Sequence, residues 1–227
     1  MTARPYVYVN MAMTADGKIT SAAREFPEFT SDEDRRTMDR LRAEADVLVV
    51  GAGTLRADDP PMYIRDPEML ELRRALGKPA ELPVVVVSAS LRLDLNARWF
   101  RRGERAHRIV ATVEDGDPER LARLRTVAEV VPCGLGRVDV TALVARLAAR
   151  GFARVLVEGG GELNWEFVRA GLVDAVHVTV TPVLLGGRDA PTFLEGNGFA
   201  MDERRHLRLA DVRRVGDELF LRWQIVR

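Results

Sequence analysis

The stretch VLVEGGGELNWEFV (155–168) begins as an apolar run, breaks into three consecutive glycines and resumes with helical spacing. Glycine weakens strand and helix alike, so three together mark a place where the backbone itself has to be reached. At a strand-to-helix junction, free N–H groups and the positive end of the helix dipole form an anion site. A phosphate therefore suits Gly159, Gly160 and Gly161. The run is neither a full dinucleotide fingerprint nor a P-loop, since no GK[ST] follows. A tight turn between a closely packed strand and helix accounts for the same residues, and spacing alone leaves both readings open.

The same alternation extends in both directions. Apolar runs at 5–13, 46–51, 83–88, 108–112 and 154–158 read as strands, with helical patterns between them. A helix is expected over 31–44, opened by Thr30 and Glu33 at capping-box spacing and carrying Met38, Leu41 and Ala45 at helical intervals. Asp117 and Pro118 start another, reaching Arg125. A third places Val140, Leu143, Val144 and Leu147 on one face and stops at Gly151. Fully apolar strands alternating with helices imply an α/β fold with a mostly parallel sheet covered on both faces. The C-terminal part changes character. DAVHVTVTP (174–182) alternates by twos, and Val215-Gly216-Asp217-Glu218 reads as a hairpin turn, so an antiparallel extension should finish the sheet. The expectation is one domain over 1–227, with 60–83 the hardest segment to place and a short helix within 65–79.

Composition excludes several function classes. Lys plus Arg and Asp plus Glu number 34 each, which leaves no global field for nucleic acid or an acidic membrane. The arginines are scattered among acids and read as solvated surface. A single cysteine, Cys133, rules out an internal disulfide. It stands without a nearby His and reads as a passive thiol. No apolar run approaches the ~20 residues that span a bilayer, and the N-terminus lacks a signal-peptide pattern. A cytoplasmic protein is expected. His107, His177 and His206 are isolated, without metal-ligand spacing, and no GxSxG, HExxH or CxxC occurs. Metal centres and hydrolytic triads have no support.

A second glycine-rich strand exit, VGAGTLRADDP (50–60), offers Gly51, Gly53 and Thr54, with Asp58 and Asp59 expected in an extended loop, not a helix, before Pro60. An N-cap and turn chemistry explain it equally well, but ligands in open α/β sheets bind at the carboxyl ends of strands, where both exits would lie. MTADGK (13–18) reads mainly as a commonplace turn.

Taken together, NMAMTADGKI (10–19), LRAEADVLVVGAGTLRADDP (41–60) and VEGGGELNWEFVRAGLVDAVHVTVTPVLLGGRDAP (157–191) closely resemble the riboflavin-pathway pyrimidine reductases, whose fold is similar to dihydrofolate reductase. The resemblance is nearest to the stand-alone archaeal branch, because Asn10 stands where the bifunctional bacterial enzymes carry Lys and no deaminase signature is present. It implies an NADPH-dependent reduction of a ribosylaminopyrimidine 5′-phosphate to its ribitylamino form, with hydride delivered to C1′ of the opened sugar. It also implies that Thr54, Asp58 and the loop Gly159, Gly160, Gly161, Glu162 and Leu163 contact the cofactor. Arg42, Met62, Arg65 and Glu158 fall on substrate-contacting positions. Arg suits a substrate phosphate through its planar fork. Glu158 suits ribose hydroxyls or a protonated imine, and Asp58 is the polar group expected near the reacting carbon. Ser88, Ser90 and Arg92, after the third strand, are placed to select NADPH, and a plain turn explains them as well. The chain departs from the family at EFPEFTS (25–31), with Phe26 near a substrate-contacting position, and at PPMYIRDPEM (60–69). A reductase of the deaminated pyrimidine, a reductase with a drifted substrate and a non-catalytic NADPH-binding regulator are the alternatives. A homodimer is expected, built on 177–182 or on the final hairpin, where Phe220, Trp223 and Ile225 need a cover.

Overall fold

Each apolar run expected as a strand forms one in the computed structural model, which describes residues 4–24, 29–101 and 107–227. The chain order is β1 (Tyr6–Thr14), α1 (Asp32–Glu44), β2 (Val47–Gly51), α2 (Ala52–Asp58), α3 (Pro67–Ala75) and β3 (Val84–Val87). Then follow α4 (Arg98–Arg101), β4 (Arg108–Thr112), α5 (Pro118–Arg125), β5 (Glu129–Pro132) and α6 (Val140–Ala149). The chain finishes with β6 (Arg154–Val157), α7 (Gly161–Arg169), β7 (Ala175–Thr181), β8 (Leu207–Val215) and β9 (Glu218–Ile225). One sheet runs in the order β5-β4-β3-β2-β6-β1-β7-β9-β8. Every pairing from β5 to β7 is parallel, and β9 and β8 add on antiparallel.

Alternate residues of the parallel strands feed two cores, as the period of two requires. Val7, Val9, Val49, Val85, Val155 and Val157 pack under α6 and α7. Tyr8, Leu48, Val50, Val86, Val110 and Leu156 pack under α1, α2, α4 and α5. Burial on both faces is why these strands show no polar alternation. The hairpin forms where expected, with Gly216 at φ 59° between β8 and β9.

Three expectations need correction. Ser31, not Thr30, caps α1, its hydroxyl accepting from the Asp34 N–H at 3.1 Å. β5 is an unpredicted edge strand of four residues. The arginines are not all surface: Arg73 of α3 is fully buried, and its guanidinium donates to the carbonyls of Ala45 at 2.6 Å, Arg42 at 3.2 Å and Pro79 at 2.5 Å. A cation there satisfies carbonyls left open at the C-terminus of α1 and complements its dipole.

Candidate functional site

β2 and β6 are neighbours, so their two glycine-rich exits lie side by side at the carboxyl end of the sheet. The Gly51 N–H donates to the Gly159 carbonyl at 2.7 Å and locks one exit to the other. Between them opens a cleft of about 240 Å³ bordered by Met11, Thr54, Glu158, Gly160, Glu162 and Leu163.

The three glycines have different reasons. Gly159 adopts φ 69°, and a Cβ there would lie 2.2 Å from the Met11 methyl carbon. A Cβ on Gly161 would lie 2.4 Å from the Thr192 carbonyl oxygen and from Glu195 Cγ. Left-handed backbone explains the first and packing the second. Gly160 is different: its φ is −65°, and a Cβ would meet only Thr54 Oγ1, at 3.8 Å. Among the described residues no neighbouring atom excludes a Cβ at 160, and the space that it would fill opens on the cleft. Gly160 is also the N-cap of α7 and makes no side-chain capping bond. An unobstructed backbone at a helix start is the geometry that accepts a phosphate.

Glu158 stands at the cleft with its carboxylate fixed. Arg42 forks onto it, Nε to Oε1 at 2.9 Å and Nη2 to Oε2 at 2.6 Å. Nη1 of the same arginine donates to the carbonyls of Pro61 and Tyr63. Arg42 is 3% exposed, and although burial works against its charge, Glu158 and Asp39 hold the guanidinium above its ordinary value. The structure thus places Arg42 behind Glu158, with its fork directed to protein groups. It orients the carboxylate and stitches the 61–63 loop to α1.

The other predicted residues fall into three places. Met62, within that loop, is buried, while the Arg65 guanidinium is about one-third exposed. Asp39 of α1 accepts from the Arg65 and Asp66 N–H groups, both at 3.0 Å, and fixes this turn. Ser88, Ser90 and Arg92 lie beyond the adjacent β3 and outside the glycine cleft. Ser88 is buried, and its hydroxyl accepts from the Leu91 N–H. The Ser90 carbonyl accepts from Arg120 and the Arg92 carbonyl from Arg56, so the loop is tied down beside a cluster of arginines. Asp58 is the last residue of α2 and Asp59 turns left-handed at φ 40° to cap it, so the extended loop expected for the pair does not form; the Asp58 side chain and Phe26 lie outside the described residues. MTADGK forms a turn that also anchors a distant loop. Asp16 accepts from the Thr14 hydroxyl and from the N–H groups of Leu185 and Gly186, bonds that pull its carboxyl down to about 2. Among the described residues no cluster of His, Cys, Asp and Glu could hold a metal, and no helix is long and apolar enough to cross a membrane.

Sequence reasoning missed Met11, which borders the cleft. No local signal distinguished it from an ordinary strand residue.

The RibD C-terminal domain model matches residues 5–221. The 2,5-diamino-6-ribosylamino-4(3H)-pyrimidinone 5′-phosphate reductase of Archaeoglobus fulgidus is 37% identical over 214 residues, 94% of this chain and 95% of that protein. The reductase of the same description from Methanothermobacter thermautotrophicus is 38% identical, over 98% of this chain and 99% of its own length. A pyrimidine reductase-like protein from Corynebacterium diphtheriae superposes with a TM-score of 0.85 at 21% identity, covering 98% of this chain and 92% of that one. Enterococcus faecalis dihydrofolate reductase superposes over the full length of both chains with a TM-score of 0.52 at 11% identity. The expected dihydrofolate reductase-like architecture, a mostly parallel sheet with an antiparallel end, is the one observed.

Proposed function

Because the chain belongs to the RibD C-terminal domain family, we propose that it reduces 2,5-diamino-6-ribosylamino-4(3H)-pyrimidinone 5′-phosphate to the ribitylamino compound, acting as a cytoplasmic homodimer with NADPH. The two full-length reductases that it resembles carry that description. The observation that carries the reading is local. A pre-oriented carboxylate, Glu158, and an unobstructed backbone, Gly160, stand two residues apart on one cleft.

The residues present suit the cofactor, since the room beside Gly160 and the start of α7 fit a pyrophosphate. NADPH, when bound, supplies the hydride. The chain's own residues orient and polarise. Gly160 with the N–H groups of Glu162 and Leu163 would hold the diphosphate, with the Thr54 hydroxyl of α2 beside it. Ser90 and Arg92, set among Arg56 and Arg120, hold the 2′-phosphate, while buried Ser88 shapes their turn. Glu158, held by Arg42, faces the sugar. It stabilises positive charge on the C1′=N⁺ unit of the opened ribose, and its fixed orientation costs no reorganisation during reaction. Reduction converts that C=N into CH–NH. By the family resemblance Asp58 would supply a second polar group for the reacting carbon, Arg65 would hold the 5′-phosphate and Met62 would contact the substrate.

The test is substrate-dependent NADPH oxidation by the purified protein. One NADPH should be consumed for each ribitylamino product formed. Oxidation no faster than in the absence of the pyrimidine contradicts the reading.

A further inference from the structure

The cofactor carries a doubly charged diphosphate into a cleft whose own side chains are mostly acidic. Among the described residues that border it, Glu158, Glu162 and Glu195 are acids and Arg24 is the one base. Arg42 answers Glu158 from behind, Glu195 accepts from the Thr192 N–H at 3.1 Å, and Glu162 stands in the first turn of α7. The peptide N–H groups at a helix start supply only about half an elementary charge. Two negative charges set among these carboxylates need a full cation as well.

Arg24 is brought there by the arm that follows β1. The Thr14 N–H donates to the Lys18 carbonyl at 2.8 Å, the Ile19 N–H donates to the Pro191 carbonyl at 2.9 Å, and Lys18 bridges to Thr192. The 191–195 loop is in turn fixed to α7, since the Glu195 N–H donates to the Gly161 carbonyl at 3.2 Å. The arm therefore lies along the loop that flanks the glycines. Its last turn closes with the Arg24 N–H on the Ser21 carbonyl at 2.9 Å. There the backbone is left-handed, at φ 58°. Glycine adopts that conformation freely, whereas arginine holds it under strain. The side chain is exposed, and its guanidinium has no partner among the described residues. A strained, unpaired arginine gives the fold nothing that glycine would not, and its place on the cleft points to a ligand.

We propose that Arg24 is the cation that clamps the cofactor diphosphate against Gly160, an assignment that rests on the NADPH reading above. A guanidinium fork grips two phosphate oxygens at once, which a lysine ammonium does only as a point charge. The arginine closes on the diphosphate from the arm, while the start of α7 holds it from the sheet side. Its charge also offsets Glu162 and Glu195, which would otherwise repel the ligand. On the same reading the 2′-phosphate is held beyond β3, beside Arg56, Arg92 and Arg120. The clamp therefore acts on NADPH and NADH alike.

The experiment titrates NADPH, NADH and adenosine 2′-monophosphate into wild type, Arg24→Gly and Arg24→Lys, with unfolding midpoints measured alongside. Arg24→Gly should weaken both dinucleotides by the same factor, at least ~10-fold, the scale of one charge-assisted hydrogen bond. It should leave adenosine 2′-monophosphate binding unchanged and unfold no earlier than wild type, because glycine accepts φ 58° without strain. Arg24→Lys, which keeps the charge without the fork, should fall between the two. Unchanged NADPH affinity in Arg24→Gly overturns the assignment. So does a loss confined to NADPH, which would put Arg24 at the 2′-phosphate, or an equal loss for all three ligands with a lowered midpoint, which would make it structural. Each of these leaves the reductase reading intact. A wild type that binds neither dinucleotide overturns both.

Discussion

At the scale of single residues, Gly160 and Gly161 are adjacent yet glycine for different reasons, and the difference is measurable. A methyl on Gly160 meets one oxygen at ordinary contact distance, so Gly160→Ala should fold as wild type. It should also bind NADPH at least tenfold more weakly, a loss of about 1.4 kcal/mol, because the Cβ occupies the approach of the diphosphate. A methyl on Gly161 collides with the Thr192 carbonyl, so Gly161→Ala should lose about 1–3 kcal/mol of stability. Thermal unfolding and cofactor titration separate the two, and unfolding of Gly160→Ala would return that glycine to a packing role. Asp34 and His177 make an opposed pair. The Asp34 carboxyl, raised by burial to about 6 when folded against 3.8 ordinarily, favours the fold at low pH, and that contribution is lost as pH rises through about 6. His177 is lowered to about 4 by burial and then by Arg222, Arg40 and Arg154. Its contribution is present above 6.5 and lost as pH falls towards 4. The two cancel in part between about pH 4 and 6. Asp34→Asn should therefore be more stable than wild type at pH 7, by on the order of 2 kcal/mol. It should also expose a steeper loss of stability on acidification. Urea unfolding at pH 7 and pH 5 checks both, and equal stability at pH 7 would contradict the burial account of Asp34.

At the scale of elements, α3 acts through one side chain. Arg73 reaches under α1 and ties the carbonyls of Ala45 and Arg42 to that of Pro79. Arg73→Met keeps the buried stem but strands those acceptors, so a loss of about 2–4 kcal/mol is expected. Denaturant midpoints check it, and a change of less than 0.5 kcal/mol, the range of ordinary surface substitutions, would mean that α1 needs no such cap. Most elements were legible in the sequence because their signals are local. Five apolar runs sit on β1, β2, β3, β4 and β6, Asp117-Pro118 starts α5, and Gly216 marks the hairpin. What stayed hidden depends on distant partners. EVVP carries four residues on an edge, too few for a period. Arg73 looked solvated because no pattern shows that a helix end will need it. Arg42 was expected on the substrate, and its direction was not legible: its fork goes to Glu158, more than a hundred positions away in the chain.

At the scale of the whole molecule, the sheet ends unequally. β7 was one expected self-association surface, but β9 covers it, and Val178 is 7% exposed in the core. An arginine at 178 would break the fold, not an interface. The open edge is β8, all nine of whose residues are exposed, among them Leu209 and Val212. A long apolar edge strand invites pairing, and a two-fold copy is the commonest partner. The chain should therefore sediment at micromolar concentration as a dimer, at twice its 25.3 kDa mass. Val212→Arg should shift it to monomer without loss of secondary structure. A wild-type monomer, or a Val212→Arg dimer, would place the contact elsewhere or remove it.

On the proposed reading, the Glu158–Gly160 cleft brings a hydride to C1′ of the sugar. The direct measurement uses NADPH deuterated at C4 of the nicotinamide, with the diamino ribosylamino phosphate as substrate and mass spectrometry and NMR of the product. One deuteron should appear at C1′ of the ribityl chain in wild type, and Glu158→Gln should form that product at least ~100-fold more slowly, the scale on which one transition-state contact counts. A product labelled at any other carbon, or no labelled product while NADPH remains bound, would contradict it.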